Sequence, residues 1–543
     1  MVSVVKSGEI LSVIPSGFSA DFDKSNSKKI RILWAQILCY NLMRDSEILM
    51  NPNDLVRFLK KSPSEFTRDD IIHFCEENKI EMVNFRYVAE DGRLKTLNFI
   101  ISSKEHLETI LSDGERVDGS NLFSFIEAGS SDLYAIPRYR TAFMNPFSEV
   151  PTLEILCSFY DYEGRPLESA PGNVLRKADE EFTRQTGATF RTLGELEYYV
   201  ISDKEDLYPG DDQKGYHSSE PFAKFESLRV EALGLVARAG GKIKYGHSEV
   251  GCFTSGDHYY EQHEIEFLPM PVEEAVEQLI IAKWIVRMLG YRYGVEVSYA
   301  PKITVGKAGS GLHFHMLAEK DGQNLMVEDG KLSPMARKMI AGILDNAGAI
   351  TAFGDCIPTS YLRLVPHQEA PTNICWGDRN RSVVVRVPLG WIGAQNMTKD
   401  ANPNDSSCDL ERPSKQTFEF RVADCSADPY LTVAALMTAA LKGINMPDAL
   451  EKAEAYYVGA DIFKPENKER LNSLRQLPAS CWESAEALEA KRSLFEENEI
   501  FPAGMIDSRI AMLKSFDDKG LSEKLYGNNA AIAELVARFI HIG

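Results

Sequence analysis

Cysteine is scarce and scattered in this chain of 543 residues. The nine cysteines are odd in number and form no Cys-x-x-Cys pair. Paired cysteines at regular spacing mark zinc sites and the disulfide frameworks of small secreted domains. We therefore expect neither feature here, and we expect reduced thiols in a cytoplasmic protein.

Long uncharged apolar runs are also missing. The apolar stretch from Leu279 to Leu289 is interrupted by Lys283 and Arg287, whereas a membrane-spanning helix needs about 20 mostly apolar residues. The apolar run from Ile10 to Ile14 is too short for a secretory signal. We predict a buried helix over 279–289 and no membrane partner.

Positive charge is in deficit, because 60 lysines and arginines face 80 aspartates and glutamates, which gives a net charge of −20. A nucleic-acid-binding surface is normally basic, so we expect no nucleic-acid partner. The chain has no GxxxxGK[ST] motif, and no GxGxxG clearly follows a predicted strand. Any phosphate must therefore be bound by other means.

Helix and strand signals divide the chain into three parts. Residues 1–62 alternate apolar runs with lysine-rich stretches, and helical periodicity over 30–43 predicts a partly helical N-terminal extension. Residues 63–168 predict a helix, two strands joined by a turn, and a further strand at 152–160, as in a small α+β domain.

The third part, residues 169–543, interleaves long helices with strands. The clearest helices are expected at 272–293 and 429–444. Strands are expected at 195–202, 295–304, 312–317, 383–387 and 417–422. We predict an α+β catalytic domain with a mainly antiparallel sheet.

The most informative stretch is GSGLHFH at residues 309–315. Side chains at i and i+2 share one face of a strand, so His313 and His315 should point into the same pocket. Glycines before them allow the backbone to approach a ligand closely.

Carboxylates recur around this stretch in the same spacing. Glu195 and Glu197 share a strand face, where a bound cation would offset the repulsion between like charges. Glu249 and Glu264 lie in a segment rich in glycine and aromatic residues. Spacing does not separate Glu264 from Glu261 or Glu266 as a ligand.

Arginines cluster in the same half of the chain, at positions 363, 379, 381, 386 and 421. Their planar guanidinium groups bind two oxygens of a phosphate or carboxylate at once. Ligand sets dominated by carboxylates suit Mg²⁺ or Mn²⁺ better than Zn²⁺. Arginines beside such ions are typical of phosphoryl transfer.

Taken in order, these motifs resemble the glutamine synthetase (glutamate–ammonia ligase) family over roughly residues 63–445. The matching set consists of Asp118-Gly-Ser, Glu195-x-Glu197, His247-Ser-Glu249, Gln262-His-Glu264, the 309–316 stretch, Arg363-Leu-Val-Pro with Glu369-Ala-Pro, Asn380-Arg-Ser with Arg386-Val-Pro, and Glu419-Phe-Arg with Asp428-Pro-Tyr. No single motif is decisive, whereas the ordered set is highly specific.

The resemblance implies an N-terminal β-grasp domain over 63–168 and a catalytic domain over 169–543 built on a curved antiparallel sheet. It also implies a homo-oligomeric ring, with a dodecamer expected, in which active sites lie between subunits. Glutamate, ammonium and ATP are the implied substrates, and glutamine is formed through γ-glutamyl phosphate.

The resemblance also implies roles for individual residues. One divalent ion, Mg²⁺ or Mn²⁺, would be held by Glu197, Glu249 and Glu264, and a second by Glu195, His313 and Glu419. Gly309, Arg363 and Arg421 would bind glutamate, and His315, Arg381 and Arg386 would bind ATP. Asp118 would take a proton from ammonium across the subunit interface, Glu369 would exclude water, and Arg381 would assist phosphoryl transfer.

Several features depart from the family pattern, and two of them keep alternatives open. Ala308 stands where the family usually has an asparagine that contacts glutamate, and Asn121 follows Asp118-Gly-Ser where the family often has serine. These departures are compatible with a γ-glutamyl-amine ligase that uses an organic amine. A non-catalytic assembly is a third possibility, although the complete set of ligand residues favours catalysis.

Overall fold

The computed structural model describes residues 48–90, 92–124, 126, 131–365, 370–406, 414–459 and 468–543. The helix expected at 30–43 and the predicted water-excluding residue Glu369 lie outside these ranges. Within the remainder of the predicted extension, helix α1 spans Asp54–Leu59. It begins after Asn53, whose side chain accepts hydrogen bonds from the backbone N–H groups of Leu55 and Val56.

The N-terminal part of the described chain forms a small sheet with its own core. The strands pair in the order β2-β1-β6-β4-β3, with β5 against β6, and β1 and β6 run parallel. Their bounds are β1 Met82–Val88, β2 Leu94–Ile100, β3 Glu115–Asp118, β4 Asp132–Pro137, β5 Phe143–Met144 and β6 Thr152–Tyr160. Helices α2 (Arg68–Glu77) and α3 (Lys104–Asp113) complete this domain, and apolar side chains from the sheet and both helices form one buried cluster.

A second, larger sheet carries the polar residues singled out in the sequence. Its strands pair in the order β16-β17-β18-β12-β7-β9-β8. The bounds are β7 Thr189–Asp203, β8 Ile243–Ser255, β9 His258–Phe267, β10 Met270–Pro271, β11 Glu296–Ser298, β12 Leu312–Lys320, β13 Gln323–Asn324, β16 Trp376–Asp378, β17 Val385–Val387 and β18 Phe418–Phe420; β14 (Val327–Glu328) and β15 (Lys331–Leu332) form a separate hairpin. Every described pairing in the large sheet is antiparallel except that of β16 with β17, so the predicted α+β fold with a mainly antiparallel catalytic sheet is confirmed.

Helices pack against this sheet and around it. They are α4 Pro171–Thr186, α5 Glu226–Arg238, α6 Val272–Tyr293, α7 Pro334–Gly354, α8 Ser360–Arg363, α9 Met397–Ala401, α10 Pro429–Asn445, α11 Ala449–Tyr456, α12 Lys468–Ser473, α13 Cys481–Glu496, α14 Ala503–Lys514, α15 Leu521–Leu525 and α16 Asn529–Phe539. The apolar side chains of α4, α6, α7 and α10 join those of the sheet in one continuous core. Among the residues with described placement, no helix is both long enough and apolar enough to cross a membrane.

Strand register decides which polar residues meet. The paired residues are His313 with Glu195, His315 with Glu419, Glu197 with Glu264, and Glu264 with His247. Because these strands are neighbours and the paired residues lie at the same height along them, five strands (β7, β8, β9, β12 and β18) bring their carboxylates and imidazoles to one face of the sheet.

Charged side chains join the two domains. Arg138 and Arg140 of the small domain both form ion pairs with the buried carboxylate of Glu277 on α6, and Arg140 Nη1 lies 2.7 Å from a Glu277 oxygen. Arg140 also reaches Glu273 at 3.1 Å. These contacts fix the small domain against the helical side of the catalytic domain.

One predicted strand, 295–304, is mostly wrong, because only Glu296–Ser298 pairs with β7. The hydroxyl of Ser298 accepts a hydrogen bond from the N–H of Ala300 and donates one to the carbonyl of Ile540. These bonds turn the chain out of the sheet just before Pro301, whose ring removes a backbone donor.

Candidate active site

A cavity of about 1550 Å³ opens on the face of the large sheet where the polar residues meet. The predicted site residues that line it are Glu195, Glu197, Glu249, Glu264, Gly309, His313, His315, Arg363, Arg381, Arg386 and Arg421. Glu419 is fully buried directly behind Arg386 and Arg421. The fold therefore brings together residues that are up to 226 positions apart in the chain (195 to 421).

The first acidic group lies at the β8–β9 side of the cavity. His247, Glu249 and Glu264 each offer a ligand atom, and these atoms all lie within 4.8 Å of one another. Such a grouping has the size of a site for one divalent cation. Glu197 lies next to this group, and its carboxylate accepts hydrogen bonds from the Gly311 N–H at 2.8 Å and from Gln262 at 3.2 Å.

Electrostatics in this group favour a cation. Burial, followed by the negative charges of Glu195, Glu197 and Glu249, raises the pKa of Glu264 well above its ordinary value. Several carboxylates forced together in a buried place repel one another unless a proton or a cation lies between them. The donor set thus fits a hard divalent ion.

The second group is centred on Glu195, which gives one carboxylate oxygen to each histidine. His313 Nδ1 lies 2.9 Å from Oε2 and His315 Nε2 lies 2.9 Å from Oε1. Ligand atoms of Glu195, His315 and Glu419 fall within 4.8 Å of one another, while His313 Nδ1 is 3.6 Å from Glu419. Both histidines therefore point into one pocket, and each is placed to reach a cation at this group.

Charge pairing in the second group differs from that in the first. Burial would raise the pKa of Glu195, but the positive His315, together with hydrogen bonds from His313 and His315, holds it well below its ordinary value. Burial opposes protonation of His315, yet the charge of Glu195 raises its pKa. Glycine at 311 permits this packing, because a Cβ would lie 2.5 Å from His313 Nε2 and 2.6 Å from Arg363 Nη2, and these side-chain ends would have to move.

Arginines surround the second group. Arg421 Nη1 lies 2.5 Å and Arg386 Nη1 3.0 Å from Glu419 oxygens. Arg363 donates hydrogen bonds to the backbone carbonyls of Val422 at 2.5 Å and Arg421 at 3.2 Å. These bonds fix the orientation of its guanidinium. Buried guanidiniums fixed in this way present their remaining donors to an anion in the cavity.

Asp118 is placed differently from the other predicted residues. It ends β3 in the small domain, is exposed, and does not line the cavity of its own chain. Hydrogen bonds from the Ser120 hydroxyl (2.7 Å) and the Asn121 amide (2.6 Å), among others, lower its pKa.

The structure separates the competing carboxylates of the 246–267 segment. Glu261 turns away from the cavity into a buried network with His263 (3.0 Å) and Tyr259 (2.9 Å). Glu266 lines the cavity but pairs with Lys244 at 2.5 Å. Only Glu264 joins the group with Glu249.

Sequence reasoning missed His247 as a candidate ligand, although its i, i+2 spacing to Glu249 was a usable signal. It also missed two aromatic residues, Tyr216 and Tyr245, that line the cavity beside His247. The ring centroids of Tyr216 and His247 are 5.3 Å apart. These contacts join β8 to the 204–225 loop and have no local signature.

Family models agree with this arrangement of domains. The model described as glutamine synthetase, catalytic domain, matches residues 168–518, and the model of the glutamine synthetase beta-Grasp domain matches residues 79–162. The chain belongs to the glutamine synthetase family. Membership makes it a ligase of the ATP-dependent, carbon–nitrogen bond-forming type.

Curated members of the glutamine synthetase family match most of the chain. The glutamine synthetase of Frankia alni is 28% identical over 482 residues, covering 82% of this chain and 94% of its own length. That of Clostridium saccharobutylicum is 27% identical over 479 residues, covering 86% and 94%.

Solved structures share the glutamine synthetase fold with lower sequence identity. The Plasmodium falciparum glutamine synthetase superposes with a TM-score of 0.67 at 19% identity, covering 85% of this chain and 99% of that one. GmaS in complex with ADP gives 0.64 at 19% identity, covering 83% and 96%.

Proposed function

We propose that the protein is a glutamine synthetase that joins glutamate and ammonia at the expense of ATP. The observation that carries this proposal is the cavity itself, in which two carboxylate–histidine groups face a set of fixed arginines. Dense negative charge suits divalent cations, and the arginines suit the phosphate and carboxylate of the substrates.

The cations would be held in two places. Glu197, Glu249 and Glu264, with His247 beside them, would hold one ion, and Glu195 and Glu419 with His313 or His315 would hold the other. The buried repulsion around Glu264 supports this fit. Bound Mg²⁺ or Mn²⁺ would supply Lewis-acid neutralisation of phosphate oxygens.

Arginines would carry the first chemical step. Arg363 and Arg421 hold the carboxylates of glutamate, so that the γ-carboxylate oxygen attacks the γ-phosphorus of ATP. The bond from that phosphorus to the β–γ bridging oxygen breaks, and ADP leaves with the electron pair. Arg381 and Arg386 offset the charge on the transferred group, and each such preorganised donor is typically worth about 3 kcal/mol.

The second step would use Asp118 of a neighbouring subunit. This carboxylate takes a proton from ammonium, and the ammonia attacks the carbonyl carbon of γ-glutamyl phosphate and expels phosphate. The exposure of Asp118, and its absence from the cavity of its own chain, support a ring in which the small domain of one subunit closes the site of the next. By resemblance, Glu369 would exclude water from the acyl phosphate.

An organic amine is the second candidate acceptor. The rings of Tyr216 and His247 edge the cavity beside Glu249 and Glu264, and aromatic faces attract organic ammonium groups. Ala308 also lies in the cavity wall, with its N–H bonded to Gln213 at 2.7 Å. The fold likeness to GmaS, a γ-glutamylmethylamide synthetase, is compatible with this acceptor.

A competition assay separates the candidates. The purified protein is given ATP, Mg²⁺ and glutamate, and phosphate release is measured with ammonium, methylamine, ethanolamine or putrescine. We expect ammonium to give the highest kcat/KM. An organic amine that exceeds ammonium about ten-fold would instead favour the second candidate, and a lack of turnover with every acceptor would favour a non-catalytic assembly.

A further inference from the structure

Part of the cavity wall is formed by residues outside the predicted site set. Pro388, Leu389 and Trp391 line the cavity, together with Ser414 and Lys415. The side chain of Trp391 remains 50% exposed although it lies in the cavity wall. A large aromatic ring left half exposed in a cavity wall offers a flat surface to a ligand.

The turn that carries Trp391 is held in place by one buried residue, Gln416. Its amide nitrogen lies 2.9 Å from the carbonyl oxygen of Pro388 and 2.8 Å from that of Thr417. Gly390 packs so closely on Gln416 that a Cβ would lie 2.3 Å from its side-chain oxygen and 3.0 Å from its Cα. Glycine is therefore favoured at 390, and the turn that carries Trp391 packs directly on Gln416.

Two further features tie Trp391 to the chemistry of the cavity. Its φ of +58° is uncommon for a tryptophan, and such backbone outliers concentrate at functional sites. Lys415 places its ammonium 5.5 Å from the centre of the indole ring. Two residues further on, Thr417 lies 2.9 Å from Nδ1 of His315, so the platform and the second acidic group share one segment of chain.

We propose that Trp391, with Lys415 beside its ring, is the platform on which the base of the bound nucleotide stacks. This inference rests on the proposed use of ATP. A nucleotide combines a flat aromatic base with phosphates, which suits a cavity lined both by an indole with its neighbouring ammonium and by Arg381 and Arg386. Glutamate and ammonium have no aromatic face to use such a surface.

The test compares ligands with and without a base. Dissociation constants for ADP and for inorganic tripolyphosphate, both with Mg²⁺, are measured by calorimetry on the full-length protein. We expect Trp391→Ala to weaken ADP binding about ten-fold, because the base loses its stacking surface, and to leave tripolyphosphate binding unchanged. Trp391→Phe, which keeps an aromatic face, should retain most of the affinity for ADP.

Trp482→Ala is the matched control. Trp482 lies on α13, away from the cavity, and also has a lysine ammonium (Lys514) 5.8 Å from its ring. Its loss should leave ADP binding unchanged.

Each contrary result has a distinct meaning. The proposal that the base stacks on Trp391 is wrong if Trp391→Ala binds ADP as tightly as the wild type, or if it loses affinity for ADP and tripolyphosphate equally. Either result leaves the proposal that the protein uses ATP unaffected. If the wild-type protein binds neither ADP nor ATP, the proposed function fails and the platform fails with it.

Discussion

The guanidinium of Arg421 lies 2.5 Å from the carboxylate of Glu419, two residues before it in the chain. Glu419 is fully buried, and Arg386 reaches its other oxygen at 3.0 Å. Burial alone would raise the pKa of Glu419, but the charge of Arg421 lowers it. A carboxylate is thereby kept ionised at the base of the cavity, where a cation or the arginines can use its charge.

Glu419→Ala should therefore cost both stability and activity. It leaves two guanidiniums without their buried partner, and breaking a buried ion pair typically lowers the free energy of unfolding by about 3 kcal/mol. Urea unfolding in EDTA measures this loss, and phosphate release measures activity, which should fall to background.

Glu497→Ala is the control for this prediction, because the Lys442–Glu497 pair is about half exposed on both sides and should contribute less than about 1 kcal/mol. Equal losses in the two variants would show that burial does not set the strength of the Glu419 pair.

Divalent cations should stabilise the protein through Glu264. Mn²⁺ or Mg²⁺ relieves the repulsion among buried carboxylates, so the Tm should rise on metal addition and fall with EDTA. Glu264→Gln should weaken the dependence of Tm on metal concentration. Glu319→Gln changes a residue that lines the same cavity but belongs to neither group, and it should behave as the wild type. An unchanged metal response in Glu264→Gln would remove Glu264 from the ligand set.

Asp118→Asn should stop transfer to ammonia and leave ADP binding unchanged, because its carboxylate is proposed to act on the acceptor of a neighbouring site. Glu264→Gln should be inactive for a different reason, the loss of a metal ligand. Hybrid rings made by dissociating and reassembling the two variants together should recover part of the activity, because some interfaces then combine an intact small domain with an intact cavity. No recovery in verified hybrids would place Asp118 and its site in the same subunit.

Asp355 should make stability depend on pH. It is fully buried beside Asp424. Burial, and then the charge of Asp424, raises the pKa of Asp355 well above its ordinary value. Folding therefore favours the protonated form, and this contribution is complete below the ordinary pKa of about 3.9 and is lost as pH rises toward the raised value.

Asp355→Asn removes that titration. Urea unfolding in EDTA at several pH values should show the variant gaining stability relative to the wild type as pH increases from 5 to 8, because the amide never has to ionise. Asp345→Asn, a change at a partly exposed residue whose pKa is lowered by contacts that include Lys452, should not show this gain. A difference between wild type and Asp355→Asn that is constant with pH would contradict the assignment.

Much of the fold was readable from local patterns. The predicted ends of the helix Val272–Tyr293 and of the strand Thr152–Tyr160 agree with the structure, because prolines, glycines and clean periodicity mark them. Two strands are shorter in the structure than predicted. The strand predicted at 295–304 covers only Glu296–Ser298, and the one predicted at 417–422 covers only Phe418–Phe420. In both cases apolar composition continues past the residues that still face a neighbouring strand, and composition cannot report where pairing stops.

The amino-acid sequence by itself determined which residue types face the cavity, because alternation along a strand fixes which side chains share a face. His313 with His315 and Glu195 with Glu197 follow from that rule alone. Only the tertiary structure decided which strands lie side by side, and hence that His247 joins Glu249 and Glu264 while Glu261 turns into a separate buried network. It also brought Trp391 into the cavity wall, because strand register and the packing of Gln416 on Gly390 are long-range contacts with no local signature.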